Sequence, residues 1–169
     1  MEMPDPDAAI LSRRAAIIAD LGRLVAGENI IADEDELRAY ECDGLSAYQQ
    51  TPMLVVIPDN LQQLQHILAC CKKYNAPVIA RGAGTGLAGG TLPTASSVVI
   101  SMARFNKIQE VDVSNRFAVV QPGVRNLAIS ESAQEHNLYY APDPSSQIAC
   151  SIGGNVAENA GGVHCLKYG

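Results

Sequence analysis

The chain has 169 residues, a formal net charge of −6 and a hydrophobic fraction of 47%, values typical of a folded domain with one core or two small lobes. The acidic balance and the few aromatic side chains argue against a nucleic-acid surface, which needs a basic patch. No segment approaches the roughly 20 apolar residues of a membrane span, and acids near the start argue against a secretion signal. Five cysteines without a CxxC pair favour a reducing compartment, and three scattered histidines predict no metal site.

The first 48 residues predict a helical segment that precedes the main domain. The apolar spacing after Asp7 indicates an amphipathic helix, which Asp7 caps and Gly27 ends. Asp33 and Glu36 have the three-residue spacing of a capping box, which predicts a second, short helix. We expect the main domain to take residues 49–169.

Residues 53–102 predict a strand, a helix and two further strands. The apolar runs MLVVIP, PVIA and SVVISM have strand length. The helix between the first two begins after Asn60 and ends at Asn75, and His66 lies off its apolar stripe. The residues predicted to form that buried stripe are Leu61, Leu64, Ile67, Leu68 and Cys71. Because a helical crossover joins them, the first two strands are expected to be parallel.

The pattern changes after Met102. The segments NKIQEVDV and RFAVVQPG alternate with period two around Ser114 and Asn115, which predicts an antiparallel hairpin. A helix is predicted over residues 125–135. The rest is rich in loops, with one helical turn at residues 155–158 and no element at its end, so we expect a fragment of a longer protein.

The glycine-rich loop after the second strand is the most informative stretch. Gly84, Gly86 and Gly89 match the G-x-G-x-x-G pattern of dinucleotide-binding proteins. In that fold the loop opens a helix, whereas here Pro93 and the next strand follow too soon for one. Six of the ten residues from Arg81 to Gly90 are glycine or alanine, so their backbone N–H groups can converge on an anion such as a pyrophosphate. The alternative is a tightly packed loop without a ligand.

A second glycine-rich region follows near residues 142–162. Its glycine pairs predict that the backbone lies close to something flat or crowded, and its serine and asparagine side chains offer neutral donors and acceptors. Taken alone, the region is compatible equally with a flavin ring or ribityl chain and with an ordinary cluster of turns.

The strings RGAGTGLAGG, QPGV and PDPSSQIACSIGGNVAENAGG together resemble the FAD domain of the vanillyl-alcohol oxidase and p-cresol methylhydroxylase (PCMH) family. The strings YECDGLSAY and HNLYYAPDPSSQIACSIGGNVAENAGGVHCLKYG are similar to the FAD-binding D subunits of bacterial glycolate oxidases. The resemblance covers nearly the whole chain after Glu34. It implies an α+β, two-lobed PCMH-type FAD-binding domain, with a small βαβ parallel-strand lobe followed by the start of a second, antiparallel lobe, truncated at its C-terminus.

The resemblance also implies which residues contact FAD. The diphosphate would be held by the first loop, at Arg81, Gly82, Ala83, Gly84, Thr85, Gly86, Gly89 and Gly90. The ribityl, ring or adenine portions would lie along Pro122, Gly123, Pro142, Asp143, Ser151, Gly153, Gly154, Asn155, Asn159, Gly161 and Gly162. Some relatives attach FAD through a histidine in the first loop, and none is present there, so non-covalent FAD is expected.

The family reaction implied is the oxidation of a 2-hydroxy acid, glycolate or D-lactate, to the 2-oxo acid. A D-lactate or D-2-hydroxyglutarate dehydrogenase, or a non-catalytic nucleotide-binding or assembly module, remains an alternative. The implied partners are an iron–sulfur subunit and a second flavin-domain subunit, in the cytoplasm or peripherally at the inner membrane through those subunits. The acid–base groups of the family lie in a later cap region, so no catalytic residue is assigned and the fragment itself is expected to be inactive.

Overall fold

A computed structural model describes residues 3–168, which form two compact units that divide between Arg104 and Phe105. In chain order the helices and strands are α1 (Ala8–Leu11), α2 (Arg14–Leu21), β1 (Ile30–Ile31), α3 (Glu34–Leu37), β2 (Leu54–Val56), α4 (Leu61–Tyr74), β3 (Val78–Arg81), β4 (Val98–Ser101), β5 (Ile108–Asp112), β6 (Phe117–Val120), α5 (Asn126–Ala133), α6 (Ile152–Glu158) and α7 (Cys165–Tyr168). Among residues 3–168, no helix has the length and apolar character that a membrane crossing requires.

The first unit contains a four-stranded sheet with the order β1-β2-β4-β3. The strands β2 and β3 both pair with β4 in parallel, so the predicted parallel arrangement is confirmed and the third strand lies between the first two. The strand β1 adds an antiparallel edge through Ile30 and Ile31, and two residues are too few to give a recognisable strand pattern.

Both faces of this sheet are covered. Ile17 and Leu21 of α2 pack with Ile67 of α4 and with Leu54 and Val56 of β2 on one face. Val55 points to the other face and packs with Leu37 and Val99. The central strands β2 and β4 are therefore buried on both sides, as expected of parallel strands whose sequences read as continuous apolar runs.

The helix α4 has the predicted ends. The side chain of Asn60 accepts a hydrogen bond from the Gln63 N–H at 2.9 Å, and Asn75 ends the helix in the left-handed region with φ of 54°. His66 is exposed, as predicted.

The predicted stripe of α4 is only partly correct. Ile67 and Cys71 are buried as predicted and Leu64 packs at the edge of the core. Leu61 and Leu68 are 62% and 44% exposed, so their predicted burial is wrong. The buried face is centred on Ile67 and its neighbours three and four residues on, Cys70 and Cys71, whereas Leu68 is rotated about 100° away from it.

The predicted N-terminal helix is interrupted and ends early. The carboxylate of Asp7 caps α1 as predicted, but α1 ends at Leu11 and α2 ends at Leu21, well before Gly27. The side chains of Ser12 and Arg13 both donate to the carbonyl of Ala9, and such local bonds compete with the helical pattern.

The second short helix, α3, has half of the predicted capping box. The carboxylate of Asp33 accepts from the Asp35 and Glu36 N–H groups. Within residues 3–168, no return bond from the Glu36 side chain to Asp33 is present.

The second unit is built on the hairpin of β5 and β6, which pair antiparallel as predicted. Val124, Ile129 and Ile152 form its core. The helix α5 is followed by a 3₁₀ turn over Gln134–His136, in agreement with the prediction. The helix α6 begins three residues earlier than predicted, because packing overrides the low helix propensity of two glycines, and the four-residue helix α7 was not predicted.

Candidate functional site

The first glycine-rich loop connects β3 to β4 without a helix, as its sequence predicts. Gly84 and Gly89 have φ values of +69° and +76°, a conformation that favours glycine strongly. Leu92 donates its N–H to the carbonyl of Gly89, and the chain then turns into β4. The loop is therefore an ordered strand-to-strand connection and not the start of a Rossmann helix.

The backbone donors of this loop are free. Within the part of the chain that the structure describes, none of the N–H groups of residues 83–91 donates to a backbone or side-chain acceptor. Backbone N–H groups of folded proteins are almost always paired with protein or solvent. Successive free N–H groups in a turn are a requirement for an anion-binding nest, and nine consecutive donors of this loop are free.

Arg81 forms the floor of the loop. Its side chain is buried, at 9% exposure, and its Nη1 donates to the carbonyl of Cys42 at 2.8 Å. The guanidinium lies 5.5 Å from the ring centre of Tyr40, and a methyl group added to Gly84 would come within 2.5 Å of its Nη2. No carboxylate among residues 3–168 forms an ion pair with Arg81, so a buried cation without an ionic partner lies against the loop at Gly84.

Two buried polar atoms beside the loop have no hydrogen-bond partner among the described residues. They are Oδ2 of Asp43 and Oγ1 of Thr91. Asp43 precedes Gly44, whose backbone is so close to the loop that an added methyl group would lie 2.8 Å from the carbonyl oxygens of Thr85 and Gly86. Sequence reasoning missed Asp43 and Thr91, since nothing local marks a loop carboxylate or hydroxyl as buried.

The glycines of the second region are explained by contacts within the second unit. The N–H of Gly153 donates to the carbonyl of Pro122 at 2.8 Å, and a methyl group on Gly153 would lie 2.7 Å from the Pro122 side chain. Gly162 has a φ of +76°, and a methyl group there would lie 2.2 Å from the carbonyl carbon of Asp143. These two glycines are therefore required by close backbone packing.

The asparagines of this region also serve the protein itself. The buried amide of Asn155 accepts from Asn126 Nδ2 at 3.0 Å and donates to the sulfur of Cys150 at 3.2 Å. Asn126 also donates to the carbonyl of Pro142. Asn159 ends α6 in the left-handed region with φ of 54°. This network fixes the path of the chain between α5 and α6.

Asp143 connects the two ends of the region. Its carboxylate lies 2.9 Å from Nδ1 of His164, and its N–H donates to the carbonyl of Gly161 at 3.2 Å. The hydrogen bond from the His164 side chain lowers the pKa of Asp143, assisted by the backbone N–H of the same residue. Asp143 and His164 thus hold the loop around Gly162 closed.

The remaining sequence-predicted residues lie near these contacts. The N–H of Gly123 donates to the carbonyl of Phe105 at 2.7 Å, and Ser151 is buried at the start of α6. Gly154 is exposed on the first turn of α6, and among the described residues its N–H has no acceptor. The first loop therefore offers an unbroken run of open donors, whereas most N–H groups of the second region are paired within the protein.

The second unit also has an apolar groove of about 630 Å³. Its lining includes residues of the hairpin, of α5 and of the segment 137–141, among them Phe117, Val120, Ile129, Tyr140 and Ile152. None of the predicted cofactor residues lines it.

A comparison with family models identifies the fold family. The model described as "FAD binding domain" matches residues 52–169, which is more than half of the chain. The chain belongs to this FAD-binding domain family. FAD is accordingly its cofactor, and the α+β, PCMH-type architecture expected from the sequence is confirmed.

Curated relatives of this FAD-binding chain are flavoprotein oxidoreductases. Glycolate oxidase subunit GlcD of Escherichia coli K12 is 56% identical over 99% of the chain and 32% of its own length. Glycolate oxidase subunit GlcD of Bacillus subtilis is 42% identical over 77% of the chain and 28% of its own length. D-lactate dehydrogenase of Archaeoglobus fulgidus is 35% identical over 90% of the chain and 33% of its own length. The chain spans about a third of the length of these relatives.

Solved structures share the fold. An alkyldihydroxyacetonephosphate synthase matches with a TM-score of 0.81 and 20% identity, over 100% of the chain and 32% of its own length. A p-cresol methylhydroxylase with bound substrate matches with a TM-score of 0.70 and 22% identity, over 82% of the chain and 28% of its own length.

The residues of the first loop fit the cofactor of the family. A dinucleotide such as FAD carries a diphosphate whose oxygens accept several hydrogen bonds at once. The free N–H groups of residues 83–91, the buried guanidinium of Arg81 and the unpartnered hydroxyl of Thr91 supply such donors.

Proposed function

We propose that this chain binds FAD without a covalent bond and forms part of a flavin-dependent oxidoreductase that converts a 2-hydroxy acid, glycolate, to the 2-oxo acid. The observation that carries the cofactor part is the row of unpaired N–H groups in residues 83–91 above the buried Arg81. A cation and several free N–H groups in one loop favour a diphosphate over a neutral ligand.

The proposed FAD contacts divide by region. The diphosphate is assigned to the first loop: Arg81, Gly82, Ala83, Gly84, Thr85, Gly86, Gly89 and Gly90. The rest of the cofactor is assigned to the second region: Pro122, Gly123, Pro142, Asp143, Ser151, Gly153, Gly154, Asn155, Asn159, Gly161 and Gly162. In that second region Gly153, Gly162 and Asn155 also fix the backbone through contacts within the protein.

Bound FAD supplies the acceptor for the two electrons that leave the 2-position of the hydroxy acid. The residues of this chain bind and orient the cofactor, and we assign no catalytic residue among them. The acids and bases that act on the substrate are proposed to lie outside the matched third of such proteins. The chain by itself is therefore expected to bind FAD without turning over substrate.

Glycolate is proposed as the substrate because the two glycolate oxidase subunits are 56% and 42% identical to the chain. The D-lactate and D-2-hydroxyglutarate dehydrogenases, at 35% and 32%, are more distant. The choice is tested by mixing the longer protein with each acid in the absence of oxygen and measuring how fast its flavin is reduced and loses its colour. Faster bleaching by D-lactate or D-2-hydroxyglutarate than by glycolate would contradict it.

We also propose partners and a cellular location. We propose an iron–sulfur subunit and a second flavin-domain subunit as partners, as the resemblance to glycolate oxidases implies; the relatives' names, which call them subunits, support a multisubunit enzyme. A cytoplasmic location, with contact to the inner membrane through those subunits, agrees with five free cysteines. The proposed domain organisation is an N-terminal segment, residues 1–48, followed by the FAD-binding domain, residues 49–169.

An equilibrium titration of the purified chain with FAD, followed by flavin fluorescence and the visible spectrum, tests the cofactor proposal. We expect saturable binding that Gly84→Val weakens strongly, because the added side chain would displace the Arg81 guanidinium. Gly27→Ala is a matched control, since its added methyl group meets no atom within 4 Å and it lies outside the loop. A colourless chain that shows no saturable binding would overturn the proposal and favour a cofactor-free assembly module.

A further inference from the structure

Asp43 is a buried carboxylate whose hydrogen bonding is incomplete. It is 5% exposed, and its Oδ1 accepts the N–H of Leu45 at 2.8 Å. Its Oδ2 has no partner among residues 3–168, and none of the described basic side chains forms an ion pair with it. An unpaired buried carboxylate oxygen is costly, and folded proteins rarely keep one without a reason.

The residues on both sides of Asp43 contact the first glycine loop or its floor. The carbonyl of Cys42 accepts a hydrogen bond from Arg81, and Gly44 packs directly against the carbonyls of Thr85 and Gly86. The segment that contains Asp43 therefore forms a wall of the proposed diphosphate site, although it precedes Arg81 by about 40 residues in the sequence.

The Asp43 carboxylate and the glycine loop favour ligand groups of opposite charge. The free N–H groups and Arg81 favour an anion, whereas an ionised carboxylate is an acceptor only and repels one. A ligand can bind to the loop donors and to the Asp43 carboxylate at the same time when it carries anionic oxygens with an O–H or N–H donor beside them. A nucleotide diphosphate has such donors in its ribose, ribityl or adenine groups, whereas inorganic pyrophosphate has no sugar hydroxyl and no amino group.

We propose that Asp43 is a ligand-contacting residue whose carboxylate accepts a hydrogen bond from a hydroxyl or amino group adjoining the diphosphate. This inference rests on the proposed function, because it concerns the same loop. It adds a specificity determinant: Asp43 makes the site select a nucleotide over a simple anion.

The test compares the wild-type chain with Asp43→Asn. The substitution keeps an oxygen that can accept the Leu45 N–H and removes the charge, so the local turn is preserved. Calorimetric titrations use FAD, ADP, FMN and inorganic pyrophosphate, all in EDTA so that no divalent cation bridges carboxylate and phosphate. Asp35→Asn is the charge-matched control, because the Asp35 side chain is 92% exposed.

We expect Asp43→Asn to weaken FAD binding about 10- to 100-fold, as the loss of one charged hydrogen bond would. Pyrophosphate binding should be unchanged or tighter. A loss of affinity for ADP would identify the adenosine side of FAD as the donor, and a loss of affinity for FMN would identify the ribityl side. The control should match the wild type for every ligand.

Unchanged FAD affinity, or an equal loss for pyrophosphate, would overturn the role of Asp43. A loss that appears only when magnesium replaces EDTA would also overturn it. Failure of the wild-type chain to bind FAD would overturn the proposed function itself, which separates the two outcomes. If Asp43→Asn does not fold by circular dichroism, Asp43→Ser provides the same comparison, since its hydroxyl can also accept the Leu45 N–H.

Discussion

The two glycine-rich regions look alike in sequence and differ in how they use their glycines. In the first loop, Gly84 and Gly89 shape a backbone whose N–H groups remain free above the guanidinium of Arg81. In the second region, Gly153 and Gly162 allow the chain to pack against Pro122 and Asp143.

Glycine density therefore has two physical meanings. It can leave backbone donors open to a ligand, or it can let two backbones approach each other. The hydrogen-bond partners of the N–H groups distinguish the two cases, and the sequence does not contain that information. Variants at Gly84 should thus mainly affect binding, whereas variants at Gly153 or Gly162 should mainly affect folding.

The largest expected effect is on stability, at the second region. Gly162→Ala should lower the free energy of unfolding by about 3 kcal/mol or more, because the methyl group overlaps Asp143 and the backbone has a positive φ. Urea denaturation measures the change. Gly154→Ala is the control, with its methyl group 3.3 Å from Ser151 Oγ, and should stay within about 1 kcal/mol of the wild type. Equal stability of the two variants would contradict the packing explanation.

The next effect is on binding, at the first loop. Arg81→Met should weaken FAD binding roughly 30- to 100-fold, since a charged donor to the diphosphate is lost. The stability of the ligand-free chain should change by less than about 1 kcal/mol, because the loss of the bond to Cys42 is offset by removal of a buried, unpaired charge. Fluorescence titration and urea denaturation are measured on the same sample. Arg23→Met, at an exposed position, is the control. If Arg81→Met loses stability while its affinity for FAD is unchanged, the role of Arg81 is purely structural.

The smallest effect is the pH dependence of the Asp143–His164 pair. Because the pKa of Asp143 is lower in the folded chain, the pair stabilises the chain fully above the ordinary carboxyl pKa of about 4. This contribution is lost as the pH falls through the lowered pKa that Asp143 has in the folded chain. The difference in urea midpoint between the wild type and Asp143→Asn should therefore be larger at pH 7 than at pH 3. A difference that is constant with pH would show that the carboxylate charge contributes nothing.

Local chemistry predicted much of the fold. Asn60 and Asn75 mark the ends of α4 because capping depends on neighbouring residues, and the hairpin follows from its period-two pattern. The prediction that Leu61 and Leu68 are buried was wrong. Periodicity shows that a helix has an apolar face, but it does not show where the sheet or helix that covers this face lies. Asp43 could not be predicted, since its burial depends on Arg81 and the glycine loop far along the chain.

The position of β3 in the sheet has a consequence for how the first loop is held. Within the described sheet, β3 has a hydrogen-bonded neighbour on one side only, β4, and Arg81 is its last residue. The strand that carries the buried cation is therefore one of the two edge strands of the sheet, and its outer side has no strand partner. A bound anion would hold Arg81 from the carboxyl end of this strand, so occupancy of the loop and order at the edge of the sheet are coupled.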